Sequence, residues 1–171
     1  MRIFTLTLFV VLLVAGCKKD KPYRIDATKI TGMDENGDST GTVDPTDWRF
    51  DDRWNEKELA LFNFGDTIST WGMMKATSFF ASATPNPASA VMMLNFTANQ
   101  PTLLKWVITD EDLNVLFTKA VRLEGLFPNR GFGLDVRNAK FKQPGFYRVY
   151  YAFYSYGGVL YSKGHGDFQK L

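Results

Sequence analysis

The sequence predicts an all-β domain, a β-sandwich of about seven strands, and two observations support that prediction. Phe, Tyr and Trp make up 15% of the 171 residues, and the 14 Gly and 7 Pro residues favour strands and turns over long helices. Short apolar runs broken by turn residues follow one another at residues 76–83, 90–97, 103–109, 115–122, 131–136, 146–154 and 158–162. Seven such runs within residues 75–171 are typical of two packed antiparallel sheets.

The charge balance excludes one class of partner. The chain has 20 Lys and Arg residues against 18 Asp and Glu, a net charge of +2, and no dense basic block. Binding to nucleic acid relies on such a block, so we expect no nucleic-acid partner. Apolar residues make up 45% of the chain, which is enough for one hydrophobic core.

Residues 1–16 are interpreted as a signal peptide. The apolar run at residues 3–15 would span about 20 Å as a helix, less than the hydrocarbon core of about 30 Å, so a permanent transmembrane helix is disfavoured. The run ends LVAGC, with the only cysteine, Cys17. This motif resembles the lipobox of bacterial lipoproteins, which implies cleavage before Cys17 and a diacylglycerol and an acyl chain on that residue. An uncleaved anchor is the alternative.

Residues 17–44 are predicted to be the lipidated cysteine and a flexible linker. The stretch after Cys17 is polar and rich in Asp, Gly, Ser and Thr, and a disordered chain of that length reaches about 30 Å. Lys19-Asp20 resembles part of the export signal of Bacteroidetes surface lipoproteins, although Lys21 stands where a second acid is usual. We expect an outer-membrane protein held by its acyl chains, with the cell surface favoured over the periplasmic face; a solvated charged tether is the alternative.

Residues 34–45 contain part of a calcium-binding pattern. Asp34, Asn36 and Asp38 have the spacing of the first EF-hand ligands, but Ser39 and Pro45 stand where that loop needs glycine and glutamate. An ordinary acidic turn is therefore expected, and no metal site.

Residues 45–74 form an aromatic-rich extension before the predicted sandwich. Asn55 and Glu58 have the spacing of a capping box and are followed by apolar residues, which predicts a short helix over residues 56–62. Gly65-Asp66 predicts a turn, and residues 67–73 a strand.

Alternation along residues 146–154 divides the aromatic residues between two faces of one strand. One face is predicted to belong to the core, whose named members are Trp106, Ile108, Tyr147 and Val149. The other is predicted to be an exposed stripe that binds a glycan or peptide, made of Phe146, Tyr150, Tyr154 and Tyr156. A second packed face, covered by residues 48–71, is the alternative. Gly164 and Gly166 predict a bulge in a final edge strand.

Three stretches resemble a known domain. They begin at Ala83, Lys105 and Leu134 and read ATPNPASAVMMLNF, KWVITDEDLNVLF and LDVRNAKFKQPGFYRVYYAF. In order and spacing they are similar to the C-terminal sorting domain of type IX secretion cargo. The resemblance implies an immunoglobulin-like sandwich, with Trp106 buried on a central strand and Tyr147 in a tyrosine corner. The lipobox and the segment GHGDFQKL depart from that pattern, so we expect the fold without the sorting role, in a Bacteroidetes-type lipoprotein.

The inventory of reactive side chains is small. His165 is the only histidine, and no Gly-x-Ser-x-Gly elbow accompanies it. Two groups of acids, at residues 51–58 and 110–112, read as solvated turns or a charged helix face. We therefore expect no enzyme and no cofactor beyond the lipid on Cys17. The expected function is a non-enzymatic, lipid-anchored binding or scaffolding subunit of an outer-membrane assembly; a cell-surface glycan- or peptide-binding module is the alternative.

The lipobox generates the first testable prediction. When cells are fed radiolabelled palmitate, we expect the wild-type protein to carry the label and Cys17→Ser to carry none, because the thiol is the only acceptor for the diacylglycerol. Ser162→Ala, a change outside the motif, should label as the wild type does. Labelling of Cys17→Ser would contradict the lipobox interpretation.

Overall fold

Eight strands and one short helix form the described part of the chain. The computed structural model describes residues 23–51, 53–64, 78–125, 127–142 and 144–171. The helix is α1 (Glu56–Ala60). The strands are β1 (Arg49–Phe50), β2 (Phe79–Thr84), β3 (Val91–Ala98), β4 (Thr102–Thr109), β5 (Val115–Leu123), β6 (Asn129–Asp135), β7 (Gly145–Tyr154) and β8 (Leu160–Lys170).

The strands form two antiparallel sheets that pack face to face. The larger sheet has the order β1-β8-β7-β4-β5 and the smaller has the order β2-β3-β6. In immunoglobulin terms, β2, β3 and β6 take the places of strands A, B and E, while β4, β5, β7 and β8 take those of C, C′, F and G. The predicted sandwich is confirmed, with β1 added as an eighth strand.

The core lies between the inner faces of the sheets. Trp106, Ile108, Tyr147 and Val149 are all buried there, as the alternation predicts. Large side chains buried in this way stabilise a fold by about 1.5–3 kcal/mol each, because their apolar surface leaves water.

A tyrosine corner fixes the start of β7. The Tyr147 hydroxyl donates to the backbone oxygen of Lys142 over 3.0 Å. The phenol therefore has a partner although its ring is buried, and the loop before β7 is tied to the strand. This confirms the predicted tyrosine corner.

Residues 23–44 do not form the predicted flexible linker. Ile25, Ala27 and Thr31 are buried against the sandwich. The backbones of Met33 and Asn86 exchange two hydrogen bonds of 2.8 Å. The prediction was wrong because polar groups of this segment form hydrogen bonds with the sandwich instead of with water. A polar composition does not show which of the two they bond to. Residues 18–22 lie outside the described residues.

Gly164 and Gly166 do not form the predicted bulge. Both pair in register with β7, and β8 continues to Lys170. A Cβ at Gly164 would lie 2.1 Å from the Arg49 backbone oxygen, and one at Gly166 would lie 2.2 Å from Trp48 Cδ2. The glycines are needed because the chain at residues 48–50 crosses directly over β8. At that point β8 is paired with β1 and is not an edge.

The capping box of α1 forms as predicted. The Asn55 side chain accepts from the backbone N–H groups of Lys57 and Glu58, and Glu58 Oε2 accepts from the Asn55 N–H over 2.8 Å. The helix ends at Ala60, two residues before the predicted end, because the following turn closes with a bond from the Leu61 N–H to the Glu58 oxygen. The turn and strand predicted for residues 65–73 lie outside the described residues.

Because Trp48 lies against Gly166, adding one methyl group at position 166 is expected to destabilise the fold. We expect Gly166→Ala to lower the free energy of unfolding by about 1–3 kcal/mol, because the indole must move away from β8. Gly133→Ala is the matched control, since its Cβ would meet only Met93 Sδ, at an ordinary 3.8 Å. Urea denaturation measures both, and an equal loss in the two variants would show that the contact with Trp48 is not the cause.

Candidate functional site

The predicted aromatic stripe is not a surface. Tyr150 and Tyr154 are 0% and 2% exposed, because the segment around α1 covers the outer face of the larger sheet. The Trp54 ring meets Tyr150 edge-on at 5.4 Å, and the Tyr150 hydroxyl donates to Glu58 Oε1 over 2.9 Å. The prediction of an exposed stripe is therefore wrong at its centre, and the alternative, a second packed face, is correct.

The two outer members of the stripe differ from its centre. Phe146 is half-buried. Tyr156 is 47% exposed, but its hydroxyl donates to the Leu123 backbone oxygen over 3.0 Å and its ring lies 5.2 Å from the Arg122 guanidinium. Both contacts tie the β7–β8 turn to the end of β5, so Tyr156 has a structural role.

Buried polar side chains hold the N-terminal segment against β8. Asp47 accepts from the backbone N–H groups of Thr31 and Asp167, over 2.7 and 2.6 Å. The Asn86 amide donates to the backbone oxygens of the same two residues, over 3.0 and 2.9 Å, and accepts from the Gln169 N–H. Because each of these bonds joins two separate parts of the chain, they act as one clamp. We call Thr31, Asp47, Asn86 and Asp167 the N-terminal clamp.

An ion pair borders the N-terminal clamp. The Arg148 Nε and Nη2 atoms contact the two Asp167 carboxylate oxygens at 2.6 and 2.7 Å, and Nη2 also donates to the Asp26 backbone oxygen. Burial raises the pKa of Asp167, although the hydrogen bonds and charge of Arg148 oppose that rise. Both partners are occupied with each other, which indicates a structural pair.

His165 is not assembled into a catalytic arrangement. Its side chain is 16% exposed on β8, with Nδ1 3.8 Å from Asp51 Oδ2. Burial, followed by the charge of Arg148, lowers its pKa to about 4, so the imidazole is neutral at pH 7. Among the hydrogen bonds of the described residues, none joins this imidazole to a serine or threonine hydroxyl that could act as a nucleophile.

The acidic groups form turns. Asp34 Oδ1 accepts from the Asn36 and Asp38 N–H groups, both over 2.9 Å, which confirms the predicted acidic turn. Asp110 Oδ1 accepts in the same way from Asp112 and Asn114. Within the described ranges, no group of three His, Cys, Asp or Glu side chains could hold a metal ion. Asp52 and Cys17 lie outside those ranges.

An open groove of about 550 Å³ runs between the edges of the two sheets. β5 ends the larger sheet on this side and β6 ends the smaller, so neither strand has a second partner among the described strands. The lining of the groove is mixed: aromatic and apolar side chains and two glycines stand beside a lysine, an aspartate, an asparagine and a threonine. The lining residues are Trp106, Phe117, Thr118, Lys119, Gly131, Phe132, Gly133, Leu134, Asp135 and Asn138.

Lys119 crosses this groove. It pairs with Trp106 in the β4–β5 register, so it belongs to the inward-facing row of β5 between Phe117 and Val121. Its Nζ lies 5.3 Å from the centroid of the Phe132 ring on β6. Natural sheets use inward-pointing lysines on edge strands to discourage unwanted pairing with other strands. The groove is therefore an accessible edge with a positive charge at its mouth.

Sequence reasoning missed this groove because β5 and β6 belong to different sheets and share no register. A signal was nevertheless present. Lys119 interrupts an alternating row that otherwise contains Phe117, Val121 and Leu123, and a glycine lies on each side of Phe132 in β6. Lysine in a core row and glycine inside a strand both mark edges and places of close approach.

A comparison with models of known protein families finds no match. A comparison with curated proteins likewise finds no match. Among the residues that the structure describes, no helix is long and apolar enough to cross a bilayer. The geometry of the groove is consequently the main guide to function.

Asp47 and His165 give stability opposite dependences on pH. Burial raises the pKa of Asp47 to about 6. The raised pKa adds to the free energy of unfolding, and this addition is complete below pH 4 and is lost as the pH rises through 6. The pKa of His165 is lowered to about 4, so its contribution is complete above pH 6.5 and is lost as the pH falls through 4.

These opposite signs predict how two variants respond to acid. Between pH 7 and pH 4.5, we expect the free energy of unfolding of Asp47→Asn to fall by about 2 kcal/mol more than the wild-type value falls. Over the same interval, the free energy of unfolding of His165→Gln should fall by about 2 kcal/mol less than the wild-type value. Urea denaturation at the two pH values measures both changes. Curves that stay parallel to the wild type would contradict the assigned roles.

Proposed function

We propose that the protein is a non-enzymatic, lipid-anchored binding or scaffolding subunit of an outer-membrane protein assembly in a Bacteroidetes-type bacterium. The observation that carries the proposal is that Tyr23, six residues after Cys17, already contacts the folded body. The Tyr23 hydroxyl accepts from the Asn55 amide over 2.6 Å, and the Lys57 ammonium lies 5.1 Å from the Tyr23 ring. A lipid on Cys17 would therefore be joined to the folded body by a connection of at most six residues.

The short connection favours one orientation. Six residues reach at most about 21 Å when fully extended. Arg24 forms an ion pair with Glu111, and the Ile25 N–H donates to the Glu111 backbone oxygen over 2.9 Å. Glu111 belongs to the turn between β4 and β5, so we infer that this end of the sandwich faces the lipid headgroups.

The opposite end would then point away from the membrane. β4 has eight residues, which span about 27 Å, and the β7–β8 turn lies at its far end. The groove between β5 and β6 would stand beside the membrane, open to a neighbouring protein. This position suits a subunit that braces or recruits a partner, and the cell surface remains the favoured face because of Lys19-Asp20.

The use of the charged groups supports a role without chemistry. Arg148 and Asp167 neutralise each other, His165 is partly buried and neutral, and the acidic clusters close turns. The glycan-binding alternative depended on the central tyrosines of the stripe, which Trp54 and Glu58 cover. Its peptide-binding counterpart is favoured by the groove.

Copurification tests the function. Acylated protein extracted from native membranes in mild detergent should elute with a stoichiometric outer-membrane partner, identified by mass spectrometry. Cys17→Ser should lose most of the partner, because the soluble chain is no longer concentrated beside it. Elution of the acylated protein alone would overturn the proposal, and protease treatment of intact cells distinguishes the two membrane faces.

Fluorescence quenching tests the orientation. With Cys17 lipidated, an engineered cysteine is the only free thiol, so Asp112→Cys and Gly157→Cys can each carry one dye. In vesicles that contain headgroup-attached quenchers, we expect strong quenching at position 112 and little at position 157, because the two positions lie at opposite ends of the sandwich. Equal quenching would contradict the inferred orientation.

A further inference from the structure

We propose that the groove between β5 and β6 binds an extended polypeptide segment with an acidic side chain, which adds as a strand to the free edge of β6. This inference gives the proposed binding function a site and a class of partner. It does not depend on the lipid anchor.

The two sides of the sandwich differ in their openness. On one side, the Ala88 N–H donates to the Gln169 oxygen and the Leu171 N–H donates to the Ala88 oxygen, both over 2.9 Å, and β1 pairs with β8. Those contacts close the gap between the sheets. On the other side, the edges of β5 and β6 face the groove without a bridging strand among the described residues.

The edge of β6 is available to another backbone. Gly131 and Gly133 line the groove, and β6 has no partner on this side among the described strands. A peptide that pairs with a sheet edge gains main-chain hydrogen bonds along its length, while alternate side chains enter the available pockets. Here Phe117, Phe132 and Leu134 form the apolar part of the groove, so an apolar side chain suits that part.

The charge at the groove selects the partner. Asp135 at the groove is occupied by Arg137, with Nε–Oδ1 and Nη2–Oδ2 contacts of 2.8 Å. Lys119 has no carboxylate within 4.0 Å among the described residues and rests over Phe132 instead. The uncompensated charge at the mouth is therefore positive. Lys119 disfavours basic or wholly apolar strands and favours a strand that brings a carboxylate to it.

Peptide binding to the full acylated chain in neutral detergent tests the inference. The probe is a fluorescently labelled octapeptide of alternating threonine and valine with one central glutamate, and the control peptide has lysine in place of that glutamate. By fluorescence anisotropy, we expect the glutamate peptide to bind about tenfold more tightly than the lysine peptide. The preference should weaken in high salt because the mouth of the groove is exposed.

Variants on β5 separate the groove from general charge effects. Lys119→Glu should reverse the preference, and Lys119→Gln should remove it without reversal. Arg122→Glu is the matched control, because Arg122 pairs with Leu103 and lies on the other face of β5; it should keep the wild-type preference. Thermal melts check that each variant folds.

Hydrogen exchange locates the peptide. Bound glutamate peptide should slow exchange of the amides of β6 and shift the NMR signal of the Trp106 indole N–H. The inference is overturned if neither peptide binds, if protection falls on another strand, if Lys119→Glu keeps the glutamate preference, or if the protein instead pairs with a second copy through β6. If the peptide binds but no membrane partner copurifies, the proposed function is overturned and the peptide site stands. If a membrane partner copurifies but the peptide does not bind, the peptide site is overturned and the proposed function stands.

Discussion

The structure depends on the contact between residues 47–50 and β8. Trp48 can lie flat against this strand only because Gly166 has no side chain, and Asp47 holds the crossing chain through two buried backbone N–H groups. From that crossing the chain continues to α1, which covers the outer face of the larger sheet. The same contact therefore holds the N-terminal segment, pairs part of β8 and buries the tyrosines of β7.

One consequence is a sandwich with a closed side and an open side. A two-layered sheet structure necessarily has edges, and an exposed edge invites pairing with other chains. In this protein, β1 and the contacts of Ala88 cover one side, whereas on the other side a single inward-facing lysine stands over the core. Lys119 can limit unwanted pairing while leaving the edge usable by a strand of complementary charge.

Buried lysine side chains also join segments that lie far apart in the sequence. Three buried lysine ammonium groups donate to backbone oxygens that lie far away in the sequence, which keeps each buried charge hydrogen-bonded. These bonds are Lys105 to Phe64 at 2.6 Å, Lys163 to Asp51 at 2.9 Å and Lys170 to Phe141 at 2.8 Å. The first two bonds join the sandwich to the segment around α1, and the third joins β8 to the loop between β6 and β7, in a protein whose only cysteine is Cys17.

Local patterns in the sequence determined the sandwich class, the capping box at Asn55, the acidic turn at Asp34 and the inward placement of Tyr147, because each depends on residues a few positions apart. Only the tertiary structure decided that residues 23–44 pack, that Tyr150 is covered, why residue 166 is glycine and that β5 and β6 leave a groove. Those features arise from contacts between residues far apart in the chain, and neither periodicity nor composition specifies which apolar face meets which or which edge stays open.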